Sequence, residues 1–356
     1  MKLNKPSTVP AIVLNAFGIN AEDAVILPVQ LGLINNTWKV ETTAEAFILQ
    51  KINGAVFKAP EAIAHNIDEV ADYLLQKFPS YTFTRPVKTN NGTSLYKNIE
   101  GDFYRVFNFI EGSHTKTSVH TSEQAYEAAR QFGRFTALLK DFDTNLLKTT
   151  IPSFHDLSFR YQQFIKALEN GNPERIKEAS ALISRIQDYS SIVDHFETIK
   201  TDPQFKLRVT HHDTKISNVL FNEEDKGICV IDLDTLMPGY FISDVGDMIR
   251  TYICPVTEEE QDNKKIIIRP EIFDAIVNGY LDEMRNELSE KEKDHFFYAG
   301  SFMIYMQALR FLTDHLNNDS YYGAAYEGHN FSRASNQLVL LQEFMSLKMN
   351  RRKVLP

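Results

Sequence analysis

The chain has 356 residues, 43% of them hydrophobic and 24% charged, with a net charge of -9. That length suits two domains, and that composition excludes a largely disordered chain. The acidic balance argues against a general nucleic-acid binder, and no apolar run reaches the roughly 18 residues of a membrane span. From the N-terminal side, Pro10 to Phe17 reads as a short helix. Val29 to Val40 and Ala46 to Ile52 read as strands, being rich in β-branched and aromatic residues. Pro60 opens a helix to Lys77 with Ile63, Ile67, Val70, Ala71, Leu74 and Leu75 on one stripe. Thr82–Val87, Ser94–Ile99 and Phe103–Ile110 are further strand candidates, separated by the turn sequences Asn90-Asn91-Gly92 and Glu100-Gly101-Asp102.

After Glu111-Gly112 the pattern turns helical. Ser122–Asp141, Phe154–Asn170, Pro173–Lys200, Pro270–Glu287 and Glu290–Asn317 carry 3.6-residue apolar periodicity, and a last helix covers Ser332–Met349. One compact β patch interrupts them, Val219–Phe221 and Ile228–Leu233, around a charged turn. The expected fold is α+β and bilobal. A small antiparallel sheet with one long helix occupies residues 1–110, a hinge lies near 108–112, and a larger, mostly helical lobe spans 111–356. Cys229 and Cys254 sit among apolar neighbours without Cys-x-x-Cys spacing, which reads as reduced core thiols in a cytoplasmic protein.

The stretch His211-His212-Asp213-Thr214-Lys215-Ile216-Ser217-Asn218 packs polar groups between segments that look buried. Such groups must be paired or must do chemistry. Asn218 follows Asp213 by five residues, and Asp232 lies on the returning strand of a hairpin that brings it beside Asn218. Phosphoryl transfer needs a carboxylate to accept or orient the proton of the attacking hydroxyl, and oxygen ligands for Mg²⁺. Protein kinases use an Asp, an Asn five residues later, then a metal-binding Asp, in this order. Lys215, two residues after Asp213, is placed to aim a cation at the transferred phosphate. His211 reads as a core imidazole bracing the loop.

The segments THHDTKISNVLF, VIDLDTLMPG and SDVGDMIR resemble the aminoglycoside phosphotransferase superfamily, which shares the protein-kinase fold. With GLINNTWKV, FILQKIN and RFLTDHL, the resemblance is nearest to the N-acetylhexosamine 1-kinase group and spans nearly the whole chain. It implies an enzyme that uses ATP and Mg²⁺ to phosphorylate the anomeric oxygen of an N-acetylhexosamine. It also implies Asp213 as catalytic base and Asn218 and Asp232 as Mg²⁺ ligands. Asp234 either assists the metal or substrate or caps the following turn. Asp244, Asp247 and Arg250 read as structural supports of the catalytic loop.

The nucleotide side departs from the kinase pattern. The Gly32–Thr37 loop has neither a P-loop nor Gly-x-Gly-x-x-Gly, leaving backbone N–H groups, Asn35 and Thr37 to meet phosphates or simply to form a turn. Alternation in Ala46–Ile52 puts Lys51 and Gln50 on opposite faces. Lys51 is the only cation there, with Glu69, or less well Glu61, as its acidic partner. The adenine is expected at the hinge backbone from Asn108 to Ile110. On the acceptor side, Arg310 and Asp314 lie at i, i+4, either as a surface pair or as sugar contacts. The resemblance supports Arg310 and Tyr321 in the sugar role, with Asn330 and Arg333 further along. Competing expectations are a kinase of another small alcohol, such as a different hexose, choline, homoserine or an aminoglycoside, and a catalytically silent kinase-fold binding protein.

Overall fold

The computed structural model describes residues 9–29 and 34–354, with side chains to residue 349. Helix α1 (Ala11–Ala16) leads to strands β1 (Val25–Val29), β2 (Asn36–Glu41) and β3 (Ala46–Lys51). β2 and β3 pair antiparallel with Trp38 opposite Leu49 and Val40 opposite Phe47. Those four side chains share one face, where they form a small core with Val13 and Leu14 of α1. The Gly32–Thr37 loop expected to meet phosphates lies partly outside the described residues; Ile34 to Thr37 are inside them.

Helix α2 (Pro60–Lys77) has the bounds that its apolar stripe predicts. It is followed by β4 (Pro86–Val87), β5 (Tyr96–Lys97) and β6 (Phe103–Asn108). The sheet order is β1-β2-β3-β6-β4, with β5 also on β6 and every pairing antiparallel. β4 and β5 are only two residues long, shorter than their composition predicts. Tyr81 and Phe83, counted toward β4 or its approach, turn instead into the large core, and Pro86 cannot donate to a ladder. α2 also buries its stripe in that large core rather than in the sheet core. Asn66, fully buried on α2, donates to Leu236 O (2.9 Å) and Lys148 O (2.8 Å) and accepts from Lys148 N (2.8 Å).

The rest is mostly helical. α3 (Ser122–Leu138) and α4 (Leu157–Asn170) come first. The single helix expected over 173–200 is three: α5 (Pro173–Glu178), α6 (Ser180–Gln187) and α7 (Ser191–Thr201). The chain bends at Ala179 and again at Asp188–Ser190, so that Leu182 and Ile186, then Val193 and Phe196, each reach the core. β7 (Arg208–Thr210), β8 (Val219–Phe221), β9 (Gly227–Val230) and β10 (Met237–Gly239) form two small ribbons, β7 with β10 and β8 with β9. α8 (Phe241–Tyr252) is absent from the expected elements, although Phe241, Ile242, Val245, Met248, Ile249 and Tyr252 keep an unbroken helical stripe; Asp244 and Asp247 lie off that stripe and are buried as well. α9 (Pro270–Met284), α10 (Glu290–Lys293), α11 (Phe296–Leu316) and α12 (His329–Val354) complete the chain. The expected 290–317 helix is interrupted at Asp294–His295 before α11, and its first piece, α10, opens on a capping box between Ser289 and Glu292, which also binds Arg208. α11 is apolar nearly all round and packs on α4, α8 and α12, as a helix in the centre of a core must. Cys229 and Cys254 are both buried and unbridged. No described helix is long and apolar enough to cross a membrane.

Candidate active site

The loop between β7 and β8 is held by α8 from beneath. Asp244 accepts from the backbone N–H groups of His211 (3.0 Å) and His212 (2.8 Å), and Asp247 from that of Thr214 (2.8 Å). Thr214 returns a bond from its hydroxyl to Asp244 O (2.8 Å), and Tyr252 donates to Thr214 O (2.6 Å). Carboxylates accepting backbone N–H groups make strong, charge-assisted bonds. Asp247 spends its other oxygen on Arg250 (3.0 Å). The supporting role expected of Asp244, Asp247 and Arg250 is thus what their contacts provide.

The histidines finish the brace. His211 is fully buried, bonds Ile231 O through Nε2 (2.9 Å) and stands edge-on to Phe132. His212 adopts a left-handed backbone (φ 65°) that reverses the chain, and its ring lies on Gly239, where a Cβ would come within 2.6 Å of it. Burial lowers the pKa of His211 and pushes His212 down to about 3, so both act as neutral wedges.

Held this way, Asp213 opens toward the cleft with Lys215 Nζ 3.2 Å from its carboxylate. Burial alone would lower the Lys215 pKa, but Asp213 and Asp247 outweigh it and the net shift is upward. Asn218 donates its side-chain N–H to Asp213 O (2.8 Å), which leaves its amide oxygen available. Ile231 N bonds Asn218 O (2.9 Å), locking the hairpin so that Asp232 follows directly. Asp232 ends the strand in a left-handed conformation (φ 62°, ψ 62°) that residues other than glycine adopt seldom and mostly at functional sites. Partial desolvation, then the charges of Asp234 and Asp213, shift its carboxyl pKa upward, although the residue itself is solvent-exposed. Among the described residues no group of three His, Cys, Asp or Glu side chains gathers at a metal-binding distance. Asn218 and Asp232 instead offer two oxygens, a set that suits a hard cation also held by a ligand.

The cleft face of the sheet answers the question about β3. Lys51 shares the face of Phe47 and Leu49, and its ammonium pairs with Asp102 (2.5 Å) beside Tyr104. Glu69 faces His65 at 3.9 Å on the same helix, and no ion pair joins it to Lys51. The side chain that turns inward is Gln50, which donates to Thr37 Oγ1 (3.3 Å) and accepts from Arg105 Nε (2.9 Å). Arg105, on β6 directly across from Gln50, reaches Asp234 at 2.5 Å, and Asn35 donates to the other oxygen of Asp234 (2.8 Å). The cation of this face therefore comes one strand over from the expected one. The chain leaves β6 through the hinge: Asn108 N bonds Arg85 O (3.1 Å), Phe109 N bonds Ala46 O (3.0 Å), and Ser113 caps Ile110 O (2.6 Å).

Beyond Asp213 lies the wall carrying the expected acceptor residues. Arg310 packs over the rings of Phe154 and Tyr322, each 5.5 Å away. Phe154 stacks on His155 and also stands edge-on to His212, so a single ring separates Arg310 from the loop of Asp213. Asp314 does not pair with Arg310. It is buried and accepts from Tyr321 N (2.7 Å), Tyr322 N (2.9 Å) and the Asn330 amide (3.1 Å), fixing the loop after α11. Tyr321 is largely exposed, and Arg333 lies over Phe311 (4.0 Å) while paired with Glu258 and Glu259. A cavity of about 340 Å³ opens here, lined in part by Arg160, Gln163, Arg310, Asp314, Tyr321 and Tyr322.

The chain matches the phosphotransferase enzyme family, APH, over residues 25–281. It is a member of that family. Solved structures agree in fold. An aminoglycoside phosphotransferase from Alicyclobacillus acidocaldarius superposes with a TM-score of 0.62 at 12% identity, covering 97% of this chain and 98% of that one. An amicoumacin kinase in complex with AMP-PNP and Ca²⁺ gives 0.61 at 13% identity, covering 92% of each chain. A microcompartment-associated aminopropanol kinase gives 0.59 at 18% identity, covering 94% of this chain and 96% of that one.

For this phosphotransferase, sequence spacing pointed to residues that the fold gathers at the catalytic loop: Asp213, Lys215, Asn218 and Asp232. It left open whether Lys51 or Gln50 faces inward, and it passed over Arg105, His155 and Arg160. Arg105 had a visible signal, an arginine in the otherwise apolar and aromatic run Phe103–Phe107 of a strand. A charge there must be paired or functional.

Proposed function

We propose that this phosphotransferase is an ATP- and Mg²⁺-dependent small-molecule kinase acting on a sugar hydroxyl, by preference the anomeric oxygen of an N-acetylhexosamine. The observation that carries the kinase reading is the set Asp213, Asn218 and Asp232 held within one hydrogen-bonded hairpin. Mg²⁺·ATP would supply the electrophilic phosphorus and neutralise its charge, with Asn218 and Asp232 as protein ligands. Asp213 accepts or orients the proton of the acceptor hydroxyl, and Lys215 balances negative charge beside it. Phosphoryl transfer passes through a loose transition state, so holding the acceptor oxygen in line supplies much of the rate. The backbone anchors on Asp244 and Asp247 provide that rigidity. Asn35, Thr37 and the hinge from Asn108 to Ile110 are the expected nucleotide contacts, and the Asp234 carboxylate lies between them and the hairpin.

The acceptor wall supports a neutral or hydrogen-bond-accepting substrate over an amine. Structural neighbours include kinases of aminopropanol, choline and ethanolamine. A cationic acceptor needs free carboxylates, and the one in this cavity, Asp314, is committed to two backbone N–H groups and Asn330. Arg310 and Arg160 instead present guanidinium donors, which suit hydroxyl and acetamido oxygens. The anomeric hydroxyl is the most acidic of a sugar ring, which eases its deprotonation by a carboxylate base. The test is ADP release with Mg²⁺·ATP across a panel of N-acetylglucosamine, N-acetylgalactosamine, other hexoses, choline, homoserine and an aminoglycoside, followed by phosphorus NMR of the product. A phosphate on the 6-oxygen refutes the regiochemistry. Turnover of amines alone refutes the sugar class and leaves the kinase reading standing.

A further inference from the structure

The phosphotransferase fold expects a cation on the strand that here carries Gln50, facing the cleft. The sheet register shows where positive charge has gone instead. Gln50 and Arg105 are cross-strand partners, and Arg105 Nε fixes the Gln50 amide at 2.9 Å. The Arg105 side chain is only 3% exposed, as is that of Asp234, its partner at 2.5 Å. Close as they are, Arg105 Nη1 and Asp234 Oδ1 are both buried without an aligned hydrogen bond. The two groups form a buried ion pair, and a guanidinium has five N–H donors, more than Asp234 and Gln50 take up. Through Asp234 and Gln50 the guanidinium is joined to Asn35 and Thr37, the side chains expected to meet nucleotide phosphates. Its planar fork can keep Asp234 on one edge and hold phosphate oxygens with its remaining donors.

We propose that Arg105, brought in by the hinge strand, is the nucleotide-phosphate cation of this protein, standing in for a lysine at the position of Gln50, and that Asp234 and Gln50 hold it in readiness. The proposal rests on the Mg²⁺·ATP reading given above. Lys51, turned to the other face and paired with Asp102, takes no part. Asp234 is then a positioning residue: it aims the guanidinium and does not itself touch the phosphates.

The test is calorimetric binding of Mg²⁺·ATP, Mg²⁺·ADP and adenosine to the full-length protein. Arg105→Ala is expected to weaken ATP and ADP binding by about tenfold or more, as loss of a charge-assisted contact should, while adenosine binds as to the wild type. Lys51→Ala binds all three as the wild type does. Adding Gln50→Lys to Arg105→Ala restores most of the lost ATP affinity, a rescue that a merely structural arginine would not allow. Should Arg105→Ala fold poorly because Asp234 is left unpaired, Arg105→Ala/Asp234→Ala is compared with Asp234→Ala alone, and the same selective loss is expected. Wild-type ATP affinity in Arg105→Ala, equal loss for adenosine, or loss in Lys51→Ala overturns the assignment while the kinase reading survives. A wild-type protein that binds no adenine nucleotide overturns both.

Discussion

The catalytic loop and the inner face of the sheet meet at the same cleft but are built on opposite terms. In the loop, backbone N–H groups of His211, His212 and Thr214 each have a carboxylate from α8, and both imidazoles are buried and neutral. On the sheet, Arg105 and Asp234 touch without an aligned hydrogen bond. The first region has its backbone donors paired before any ligand arrives, which is what proton transfer at a fixed distance requires. The second joins a guanidinium and a carboxylate that keep further donors and acceptors, which suits a region that must accept and release a charged ligand. The lesson is that a loop anchored through its backbone and a wall joined through charged side chains serve different ends.

If that division holds, damage to the loop should strike rate and metal, and damage to the walls should strike affinity. The largest effect is expected from Asp213→Asn, which keeps shape and loses the proton acceptor: kcat falls by roughly 10² to 10⁴ while Mg²⁺·ATP still binds. Single-turnover kinetics beside a binding titration would check it, and more than about a tenth of wild-type kcat rules Asp213 out as base. Next, Asp232→Ala should weaken Mg²⁺-dependent nucleotide binding by roughly 100-fold, and Asn218→Ala by less, because an anionic oxygen binds Mg²⁺ better than a neutral one. Equal affinities with and without Mg²⁺ in the wild type would remove the hairpin as metal site.

A smaller effect concerns stability. His212 has a folded pKa near 3, below the 6.5 of a free imidazole, so as pH falls below about 6.5 the unfolded chain takes up a proton that the folded chain refuses. Stability is therefore lost on acidification, by about 2 kcal/mol for this group between pH 6.5 and 5. His212→Asn, which tolerates the left-handed backbone, should flatten that slope in denaturant unfolding at stepped pH. Slopes that stay parallel would mean that the ring is not a buried neutral wedge. The smallest effect belongs to the acceptor wall: Arg310→Ala should raise the acceptor KM about tenfold, worth about 1.4 kcal/mol, with the ATP KM nearly unchanged. A fall in kcat alone would place Arg310 in the loop's half of the division.

What could be seen in the sequence follows the same line. Asp213, Asn218 and Asp232 are tied by short spacing and one hairpin, so local pattern sufficed to group them. The long helix α2 was legible because a single apolar stripe runs its whole length. Arg105 was not, since its meaning depends on lying opposite Gln50, 55 residues away, and on which face of the sheet looks inward. Asp314 was misleading for a related reason. Its spacing from Arg310 suggests a pair, whereas its actual partners are backbone N–H groups that carry no sequence signal. α8 was legible in principle, since Phe241, Ile242, Val245, Met248, Ile249 and Tyr252 keep helical spacing, but its acidic residues were read as supports of the neighbouring loop.

The fastening of α2 by Asn66 sets how the enzyme can be governed. In protein kinases the helix after the third strand is a lever, swung in or out to turn catalysis on or off. Here that helix is bolted at Asn66 to Leu236 and to Lys148, with its apolar stripe sunk in the large core. Swinging this helix would mean breaking those hydrogen bonds and lifting its apolar residues out of that core, so what is a lever in protein kinases is here a fixed part of the larger body of the chain.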